Sequence, residues 1–501
     1  MTMGQFLPLA IVASSLIPGI LIFFVPERRA TTRSVLNLSG AAAKVVLVGV
    51  VIWRSLQGLE HELRYDIGAD LVFRLNADGP ALLFASLSSV LWLVTTIYAI
   101  GYLEGSPFRR RFFGFFSLCV TASTGIALAG NVVTFFIFYE FLTLATYPLV
   151  VHRGTPEALQ AGRTYLWYTI GGGTVLFVGV VWLFVLTGPA DFGDTERLAA
   201  LAPESVATLH LLFWVLILGL GVKAALVPLH GWLPVAMVAP APVSALLHAV
   251  AVVKAGAFGV VRIVYDVFGI GLARELSLLE PLAVIAAITI IYGSLRALTQ
   301  DNIKRRLAYS TVSQLSYIAL GVAIPGTLAT AAALVHLVHQ GVMKITLFFC
   351  AGNLAETLKI HKVSELDGIG RRMPLTMGAF TIGALGMIGM PPVAGFITKW
   401  MLGLGGLQTG DGWIILILMA SSALNAAYFL PILHAAWLRP AKQEWKTHRP
   451  AKWGEAPWML LVPTLVAGLL SLLLGLFAAT GWSILAWATA IADTWYPATT
   501  P

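Results

Sequence analysis

The sequence predicts an all-α integral membrane protein with about fourteen transmembrane helices, and three observations support this fold class. Hydrophobic residues make up 58% of the 501 positions and charged residues only 11%, and the mean hydropathy is +0.84. Soluble globular chains carry about 25% charged residues. Apolar runs of roughly 20 residues, the length that crosses a bilayer core, recur along the chain. Two of these runs contain prolines and glycines that predict interrupted helices.

The composition also argues against several function classes. The two cysteines, Cys119 and Cys350, fall in apolar runs, which is typical of inert core residues. No C-x-x-C, C-x-x-C-H or P-loop motif occurs, so the sequence predicts no iron–sulfur cluster, haem c, nucleotide, metal or other cofactor. Basic membrane loops explain the formal net charge of +8, and no nucleic-acid partner is expected. Residues 4–25 lack a basic n-region and are interpreted as a retained span.

Candidate spans are the apolar runs between polar or Pro/Gly punctuation. They lie near 4–25, 35–54, 78–103, 112–130, 131–151, 163–187, 208–229, 242–267, 278–296, 304–323, 328–349, 374–404, 412–438 and 457–479. The seventh span is expected to continue into a short half-helix around 232–238. The predicted organisation is one transmembrane domain, 1–501, with N-terminal helices in 1–103, a first repeat in 112–267, a second repeat in 278–438 and a C-terminal helix in 457–490.

The distribution of basic residues predicts the orientation of these spans. Loops that follow odd-numbered spans, counted with the ends of adjoining spans, hold 21 lysines and arginines, among them Lys304, and the opposite loops hold six: Arg54, Arg64, Arg74, Arg197, Arg262 and Arg274. The first group includes the run Arg109, Arg110, Arg111 and the run Arg439, Lys442, Lys446, Arg449, Lys452. By the positive-inside rule these loops are cytoplasmic. Both termini are therefore predicted on the non-cytoplasmic side of a bacterial-type inner membrane.

Five lysines and one glutamate lie inside predicted spans: Lys44, Lys223, Lys254, Lys344, Lys399 and Glu140. A charge at the bilayer centre costs about 2.5–3.5 kcal/mol, so such residues are functional candidates. For Lys44, nine residues into its predicted helix, we favour a structural role, either in a buried ion pair or snorkelling to an interface. For the other five we favour a function in ion movement.

Two predicted spans contain helix-breaking segments, GVKAALVPLHGWLP around Pro228 and GMIGMPPVAGFITKW around Pro391 and Pro392. Interrupted backbone at membrane depth is tolerated only where it is buried in protein or lines a wet cavity. A lysine accompanies each interruption, Lys223 in the seventh span and Lys399 in the twelfth. Because an odd offset of five spans reverses orientation, this pair predicts two inverted five-helix repeats. Two unrelated proline kinks are the alternative.

Polar side chains mark one face of each of two further spans. On the tenth span the polar positions follow helical spacing: Ser310, Ser313, Gln314 and Tyr317. On the eleventh span the same spacing relates His336, Gln340 and Lys344, with His339 beside them. A single histidine in a span is often a packed, hydrogen-bonded residue. Several polar faces together with four lysines favour a connected route for ions.

These motifs resemble those of the proton-pumping antiporter-like subunits, which are the L, M and N subunits of respiratory complex I and the A and D subunits of the Mrp Na⁺/H⁺ antiporter. GVKAALVPLHGWLP followed by APAPVSALLHA, DNIKRRLAYSTVSQLSYIALG and GMPPVAGFITKW are similar to the family's signatures for its seventh and eighth, tenth and twelfth helices. The stretch LNADGPALLFASLSSVLWLVTTIYAIGYLEG also fits. The resemblance covers about 75–438 and implies fourteen helices with two inverted five-helix repeats.

The resemblance implies a set of proton-path residues: Glu140, Lys223, His248, Lys254, His336, Lys344 and Lys399, with His230, Ser310, Ser313, Gln314, Tyr317, His339 and Gln340 as supporting polar residues. One position departs from the family pattern. Where the family carries a second histidine four residues before the eleventh-helix lysine, this chain has Gln340, and His339 is displaced by about 100° around the helix. Either His339 or a water is expected to serve there.

The same positions bear on the kind of subunit. Lys254 differs from the threonine usual in types L and A, and Lys399 differs from the glutamate usual in type M. The TIYAIGYLEG stretch favours the D type of Mrp subunit, with the N type of complex I or an energising subunit of an inorganic-carbon uptake module as alternatives. Expected partners are the other membrane subunits, the lipid bilayer, H⁺ and either Na⁺ or K⁺. A haem b protein is disfavoured because no regularly spaced histidine pairs recur on facing helices.

Overall fold

The computed structural model describes residues 3–442 and 455–496 of the chain. Most of these residues are helical. The only strands in the described ranges are two that form one hairpin. Lys446, Arg449 and Lys452, which contribute to the predicted cytoplasmic charge, lie outside the described residues. The two ends of the predicted 1–501 domain, residues 1–2 and 497–501, also lie outside the described residues.

The N-terminal part contains the β-hairpin and eight helices. In chain order these are α1 (Met3–Ile22), α2 (Ala30–Ser55), β1 (Glu62–Gly68), β2 (Leu71–Asn76), α3 (Gly79–Tyr102), α4 (Arg109–Leu128), α5 (Val132–Val150), α6 (Pro156–Thr187), α7 (Glu196–Ala199) and α8 (Ala202–Lys223). The longer of these helices cover the first seven predicted spans.

The remainder of the described chain is helical. Its elements are α9 (Trp232–Val235) with a 3₁₀ turn (Ala236–Val238), α10 (Ala241–Ala249), α11 (Val252–Arg262) with a π-helical turn (Ile263–Phe268), α12 (Ile270–Glu275), α13 (Leu279–Leu298), α14 (Ile303–Ala323), α15 (Thr327–Leu358), a 3₁₀ turn (Val363–Glu365), α16 (Ile369–Arg372), α17 (Pro374–Ile388), α18 (Ala394–Gln408), α19 (Trp413–Trp437), α20 (Trp458–Leu476) and α21 (Ile484–Trp495).

The predicted class, an all-α multi-pass membrane protein, is confirmed. In the described ranges, 12 helices are long and apolar enough to cross a membrane, with α10 and α11 counted as one. The other two predicted positions are occupied by α14, whose first turn and polar face lower its hydropathy, and by the interrupted pair α17 and α18. The count of fourteen spans, the two inverted repeats and the predicted subdivision of the domain stay predictions.

Both predicted interruptions are present. The first long helix of the seventh span ends at Lys223, and helical structure resumes only at Trp232, whose indole Nε1 donates to the Val222 carbonyl at 2.8 Å. In the twelfth span, α17 ends at Ile388 and α18 begins at Ala394. The half-helix expected around 232–238 is formed by α9 and the 3₁₀ turn that follows it.

A third interruption corrects the prediction of one continuous eighth span at 242–267. Helix α10 ends at Ala249 and α11 begins at Val252. The Leu246 carbonyl accepts hydrogen bonds from the amides of both Val250 (3.1 Å) and Ala251 (2.9 Å), so the helical ladder shifts by one residue. The local sequence HAVAVVK contains neither proline nor glycine, and propensity alone gives no sign of the break.

Two further features were not predicted. Strands β1 and β2 pair antiparallel, with Arg64 opposite Arg74, and the amide of Arg74 donates to Thr134 at the start of α5. The C-terminal region is also not one helix over 457–490. It divides into α20 and α21, and Ser483 caps α21 by accepting from the Ala486 amide at 3.0 Å.

Arg262 corrects the assignment of that residue to a loop. It is the last residue of α11, is only 1% exposed, and its guanidinium pairs with Asp78 and Asp266, each at 2.7 Å. Asp78 also caps α3 through the Ala81 amide, and Trp495 of α21 donates its indole N–H to Asp266 at 2.8 Å. One buried cation thus holds together the ends of α3 and α11 and anchors α21.

Replacing Arg262 by glutamine is expected to destabilise the protein strongly. The substitution leaves two carboxylates without their cation, and breaking a buried ion pair costs about 3–5 kcal/mol. The melting temperature of the detergent-solubilised protein should fall well below that of Arg274→Gln, a matched change at an exposed position of α12. Equal melting temperatures for the two variants would show that the cluster does not stabilise the fold.

Candidate functional site

The first part of the site lies between α5 and the end of α8. The Lys223 ammonium is fully buried and lies 3.9 Å from Glu140 Oε1, which is a charge contact without a hydrogen bond. Lys223 instead donates to the main-chain carbonyl of Tyr139, and its Nζ lies 3.3 Å from the centre of the Tyr139 ring. The Glu140 side chain keeps 29% of its surface exposed. The pair is therefore loose, with the lysine fixed mainly by Tyr139.

Helix α6 leaves room for the Glu140 carboxylate at a glycine. A Cβ atom added to Gly173 would overlap with Glu140 Oε1, well inside any allowed contact. Two residues earlier on the same helix, a Cβ atom on Gly171 would meet nothing within 4 Å. The absence of a side chain at Gly173 therefore determines where the Glu140 carboxylate can lie.

His248 and Lys254 lie on either side of the interruption between α10 and α11. Both side chains are fully buried, and within residues 3–442 and 455–496 neither imidazole nitrogen of His248 nor the Lys254 Nζ has a hydrogen-bond partner. The His248 ring packs on Phe348, with ring centres 4.7 Å apart. Helix α11 approaches α8 very closely, because a Cβ atom on Gly256 would lie 2.5 Å from the Lys223 carbonyl carbon. This packing brings α11 against the end of α8.

Helix α15 carries the next set of predicted residues. The Lys344 Nζ donates to the Ser310 hydroxyl at 2.7 Å and to the Leu307 carbonyl at 3.2 Å. The His339 Nδ1 lies 2.9 Å from the carbonyl oxygen of Ala394, the first residue of α18. Across the described chain, neither amide atom of Gln340 has a hydrogen-bond partner. His339, not Gln340, therefore connects α15 to the interrupted twelfth span.

His336 lies on α15, the same helix as His339 and Lys344. Its ring centre lies 5.3 Å from that of Tyr317, and in the described part of the chain its two nitrogens have no hydrogen-bond partner. His248, Lys254, His336 and Lys344 are all buried, and burial disfavours the charged form of each. We call the set Glu140, Lys223, His248, Lys254, His336, Lys344 and Lys399 the central row.

Lys399 lies in the second turn of α18 and folds back over the interruption. Its Nζ donates to the carbonyl of Ile388 at 2.7 Å, to that of Met387 at 3.4 Å and to the Ser422 hydroxyl at 2.8 Å. The two carbonyls end α17, where the helix dipole favours a positive charge. The Lys399 side chain thus lies beside the interrupted backbone between α17 and α18. Its position in the sequence shortly after Pro392 is consistent with this place.

A hydrogen-bonded route, which sequence reasoning did not find, joins Lys344 to Lys399 through α19. The Ser310 hydroxyl, which accepts from Lys344, lies 2.8 Å from the Tyr428 hydroxyl, and Tyr428 donates to Asn425 Oδ1 at 2.7 Å. The Asn425 amide donates at 2.9 Å to the Met387 carbonyl, which Lys399 also approaches.

The polar residues of α19 could have been found from their spacing. Ser421, Asn425 and Tyr428 stand at i, i+4 and i+7, which places them on one face of the helix. Two of the predicted supporting residues contact this face of α19 or the adjacent helix α13. Tyr317 donates to the Ser421 hydroxyl at 2.8 Å, and the Ser313 hydroxyl lies 2.9 Å from that of Ser294.

Two supporting residues have different positions from the rest. His230 lies in the interruption of the seventh span with its ring against Tyr292, at 5.0 Å between centres, and near Tyr309. Among the described residues, these ring contacts do not connect His230 to a lysine of the central row. Gln314 is buried, and its Nε2 has no hydrogen-bond partner among the described residues.

Lys304, assigned to a loop from the sequence, lies at the start of α14 and points inward. Its Nζ donates to the Ala239 carbonyl at 2.5 Å and to the Ser244 hydroxyl at 3.2 Å. Ser244 precedes His248 by one helical turn of α10. A surface cavity lined by Lys304, Arg153 and His361 opens at this end of the helices. This surface cavity therefore approaches the central row from the side on which α10 begins.

Comparison with known proteins adds family evidence to this geometry. Residues 129–425 match the family model described as NADH:quinone oxidoreductase/Mrp antiporter, TM. The chain is 37% identical over 422 residues to the N subunit of the NADH-quinone oxidoreductase of Desulforudis audaxviator, which covers 82% of each protein. It is 26% identical over 467 residues to the D subunit of the Na⁺/H⁺ antiporter of Bacillus subtilis, which covers 92% of each.

A solved structure has the same fold. A chain of the Mrp complex from Dietzia sp. DQ12-45-1b superposes with a TM-score of 0.86 at 23% sequence identity, and the match covers 100% of this chain and 98% of that one. The family model spans more than half of the chain and includes every residue of the central row. The chain therefore belongs to the NADH:quinone oxidoreductase/Mrp antiporter transmembrane family, as an antiporter-like membrane subunit.

Proposed function

We propose that this chain is the proton relay of a multisubunit monovalent cation/H⁺ antiporter, in the manner of a D-type Mrp subunit. The observation that carries the proposal is the central row itself. It places four lysines, two histidines and one glutamate in the membrane-embedded part of the chain, between and around two interrupted helices. Charged residues inside a membrane are rare and mark ion pathways and proton relays.

The loose pair at one end of the row is suited to a switch. Burial disfavours the charged form of a lysine, whereas a nearby carboxylate favours it. At 3.9 Å, Glu140 stabilises the Lys223 ammonium only by its charge, and its partly exposed side chain is accessible to a neighbouring subunit. If such a contact draws the carboxylate away, Lys223 loses that stabilisation and releases its proton inward.

From Lys223 the proton would pass toward His248 and Lys254 and then reach α15. Two connections lead on to Lys399. One runs through His336 and Tyr317, whose rings are in contact, and the other runs from Lys344 through Ser310, Tyr428 and Asn425. The orphan polar atoms of His248, Lys254, His336 and Gln340 require partners, and water is the partner that a buried polar group uses when protein offers none.

A second assembly is favoured by one specific observation. The higher identity to the N subunit of an NADH-quinone oxidoreductase, 37% against 26% for the D subunit of the antiporter, supports a place in a respiratory translocase. An energising subunit of an inorganic-carbon uptake module uses the same relay. In all three cases the chain itself moves H⁺, while Na⁺ or K⁺ moves in the antiporter alone. Identifying the proteins that co-purify with the chain distinguishes the three assemblies.

Shifting the Glu140 carboxylate should slow transport without disturbing assembly. Gly173→Ala places a methyl group where Glu140 Oε1 now lies, whereas Gly171→Ala places it in open space. Both changes raise helix propensity by about 0.5–1 kcal/mol, so the pair is matched in its effect on α6. We expect ion-driven ΔpH formation in vesicles to fall several-fold for Gly173→Ala only. Wild-type rates in both variants would refute a role for the position of Glu140.

Lys399→Arg tests whether the end of the row carries protons. Arginine keeps the positive charge and can donate to the Ile388 and Met387 carbonyls, but in proteins it cannot lose its proton. We expect normal assembly and a loss of about tenfold or more in ΔpH formation, the scale of a lost proton-transfer group. Lys399→Glu should retain some activity, because a buried carboxyl group can also gain and lose a proton.

The same chemical change in a loop supplies the control for Lys399→Arg. Lys442→Arg keeps a cation next to Asp367 at an exposed position and should transport at the wild-type rate. If Lys399→Arg also transports at that rate with normal complex levels, Lys399 needs only its charge and is not a proton carrier.

The charge distribution supports an orientation in a bacterial plasma membrane with both termini outside the cytoplasm. A single cysteine introduced at Gln443, beyond the end of α19 and outside the described residues, should react with a membrane-impermeant maleimide only from the cytoplasmic side. A cysteine at Gln57, just after α2, should react only from the opposite side. Labelling of both positions from one side would contradict the predicted topology.

A further inference from the structure

A second set of buried polar residues lies among the first four helices, outside the central row. Its members are buried and face one another across α1 to α4: Ser15, Asn37, Lys44, Ser88, Trp92, Thr96, Ser117, Thr121 and Thr124. We call this set the N-terminal polar seam. It contains one titratable side chain in the middle of α2, Lys44, which the proposed relay does not use.

Lys44 corrects the structural interpretation made from the sequence. Its side chain is fully buried, so it does not snorkel to an interface. Among the residues that the structure describes, no carboxylate forms an ion pair with it. Its Nζ donates to the hydroxyls of Ser15 and Thr124, each at 2.7 Å, and lies 5.2 Å from the centre of the Trp92 ring. Lys344 and Lys399 have the same kind of surroundings, since each donates to a serine hydroxyl.

Helix α3, which packs against α2 near Lys44, carries three buried polar atoms without hydrogen-bond partners among the described residues. Ser88 Oγ, Trp92 Nε1 and Thr96 Oγ1 stand at i, i+4 and i+8, and no hydrogen-bond partner for them exists in the described ranges. The Asn37 Nδ2 on α2 is in the same condition. An unsatisfied polar group in the bilayer core costs several kcal/mol, so a row of four in one seam indicates bound water.

Along α2 itself, the buried polar side chains lie only between the start of the helix and Lys44. Going along the buried face of α2, Arg33 and Asn37 precede Lys44, and Val48 and Val51 follow it. Arg33 lies 3.6 Å from the half-exposed Glu27 just before α2. The Asn37 Oδ1 accepts from the Ser117 hydroxyl at 2.7 Å on the way to Lys44. On α2 the polar side chains thus extend from Lys44 toward the end of the helix that the charge distribution assigns to the cytoplasm, whereas valines follow Lys44 on the other side.

Helix α4 connects the seam to the interruption in the central row. Thr124, which binds Lys44, is preceded on α4 by Ser123, whose hydroxyl donates to the Val250 carbonyl at 3.4 Å. Val250 lies in the unpredicted interruption between α10 and α11, between His248 and Lys254. The interruption thus exposes a carbonyl toward the seam at the middle of the row.

We propose that Lys44 is a proton-binding group on a lateral branch, which takes up protons through the N-terminal polar seam and exchanges them with the central row at the interruption between α10 and α11. The uptake by Lys44 stands independently of the central row, and only the destination of the proton rests on the proposed function. Access to the seam can be measured separately from the relay.

Cysteine substitution tests both properties in vesicles that hold the assembled complex. In a background with Cys119 and Cys350 replaced by serine, Lys44→Cys should react with aminoethyl methanethiosulfonate, whereas Val48→Cys, one turn further on the same face, should not. The cysteine thiolate attacks the reagent and forms a disulfide to an aminoethylthio group, with methanesulfinate as the leaving group, which restores an amine that can lose a proton. Lys44→Cys should lose about tenfold in ΔpH formation and recover most of it on labelling.

A fixed positive charge distinguishes proton exchange from mere charge. Lys44→Arg should assemble and stay about as impaired as unlabelled Lys44→Cys, because arginine cannot deprotonate. Lys44→Met, which removes an unpaired buried charge, should assemble at wild-type levels and provides the check on folding. Wild-type transport by Lys44→Arg, wild-type transport by unlabelled Lys44→Cys, or equal labelling of the Lys44→Cys and Val48→Cys variants would each overturn the proposal. Glu140→Gln in the same background tests the relay separately, since seam labelling does not depend on it.

Discussion

The constraint behind this structure is the cost of holding lysine ammonium groups in a membrane without a full complement of carboxylates. Lys223, Lys344 and Lys399 each donate to a main-chain carbonyl, that of Tyr139, Leu307 or Ile388. For Lys399 the acceptors exist because α17 stops, and the end of a helix leaves carbonyls unpaired. Glycines then let neighbouring backbone close over the breaks, as Gly256 does against the end of α8. For Lys399 the interruption therefore supplies the acceptors of its charge, and Gly256 shows how closely a neighbouring helix packs at another interruption.

Much of the fold follows from local sequence signals, and the parts that do not have identifiable reasons. Proline removes a donor from the helical ladder, so the breaks near Pro228 and Pro391 could be located from the sequence. The break after Ala249 could not, because HAVAVVK carries no helix breaker, and the contact of the Val250 carbonyl with Ser123 of α4 appears only in the structure. Strands β1 and β2 pair with each other over α5, and a hairpin outside the membrane gives no hydropathy signal. The boundary between α20 and α21 was missed because both helices are apolar and hydropathy does not separate them.

In the candidate site, too, some features follow from the sequence and others appear only in the structure. Helical spacing was enough to group Ser310 with Tyr317, because residues on one face share neighbours. Spacing does not give the neighbour itself, so the contact of His339 with Ala394 and the orphan state of Gln340 among the described residues appear only in the structure. Lys44 illustrates the limit most clearly. Its depth in α2 was evident, but whether a buried lysine is paired, snorkels or is held by hydroxyls depends on which side chains α1 and α4 bring to it.

The imbalance of charge in the row has a consequence for how it operates. The central row has four lysines and one carboxylate, Glu140, which lies beside Lys223 at one end, so full protonation of the row would leave its other lysines without a carboxylate partner from the row. Two unit charges 4 Å apart repel by about 4 kcal/mol at the effective dielectric constant of a protein near its surface, and the repulsion falls only slowly with distance. In the proposed relay, a proton that arrives at one lysine would therefore favour release from the next, without any large movement of the helices. In such a scheme Glu140 sets which end of the row is charged, and a proton supplied near Val250 would enter where it acts on both halves at once.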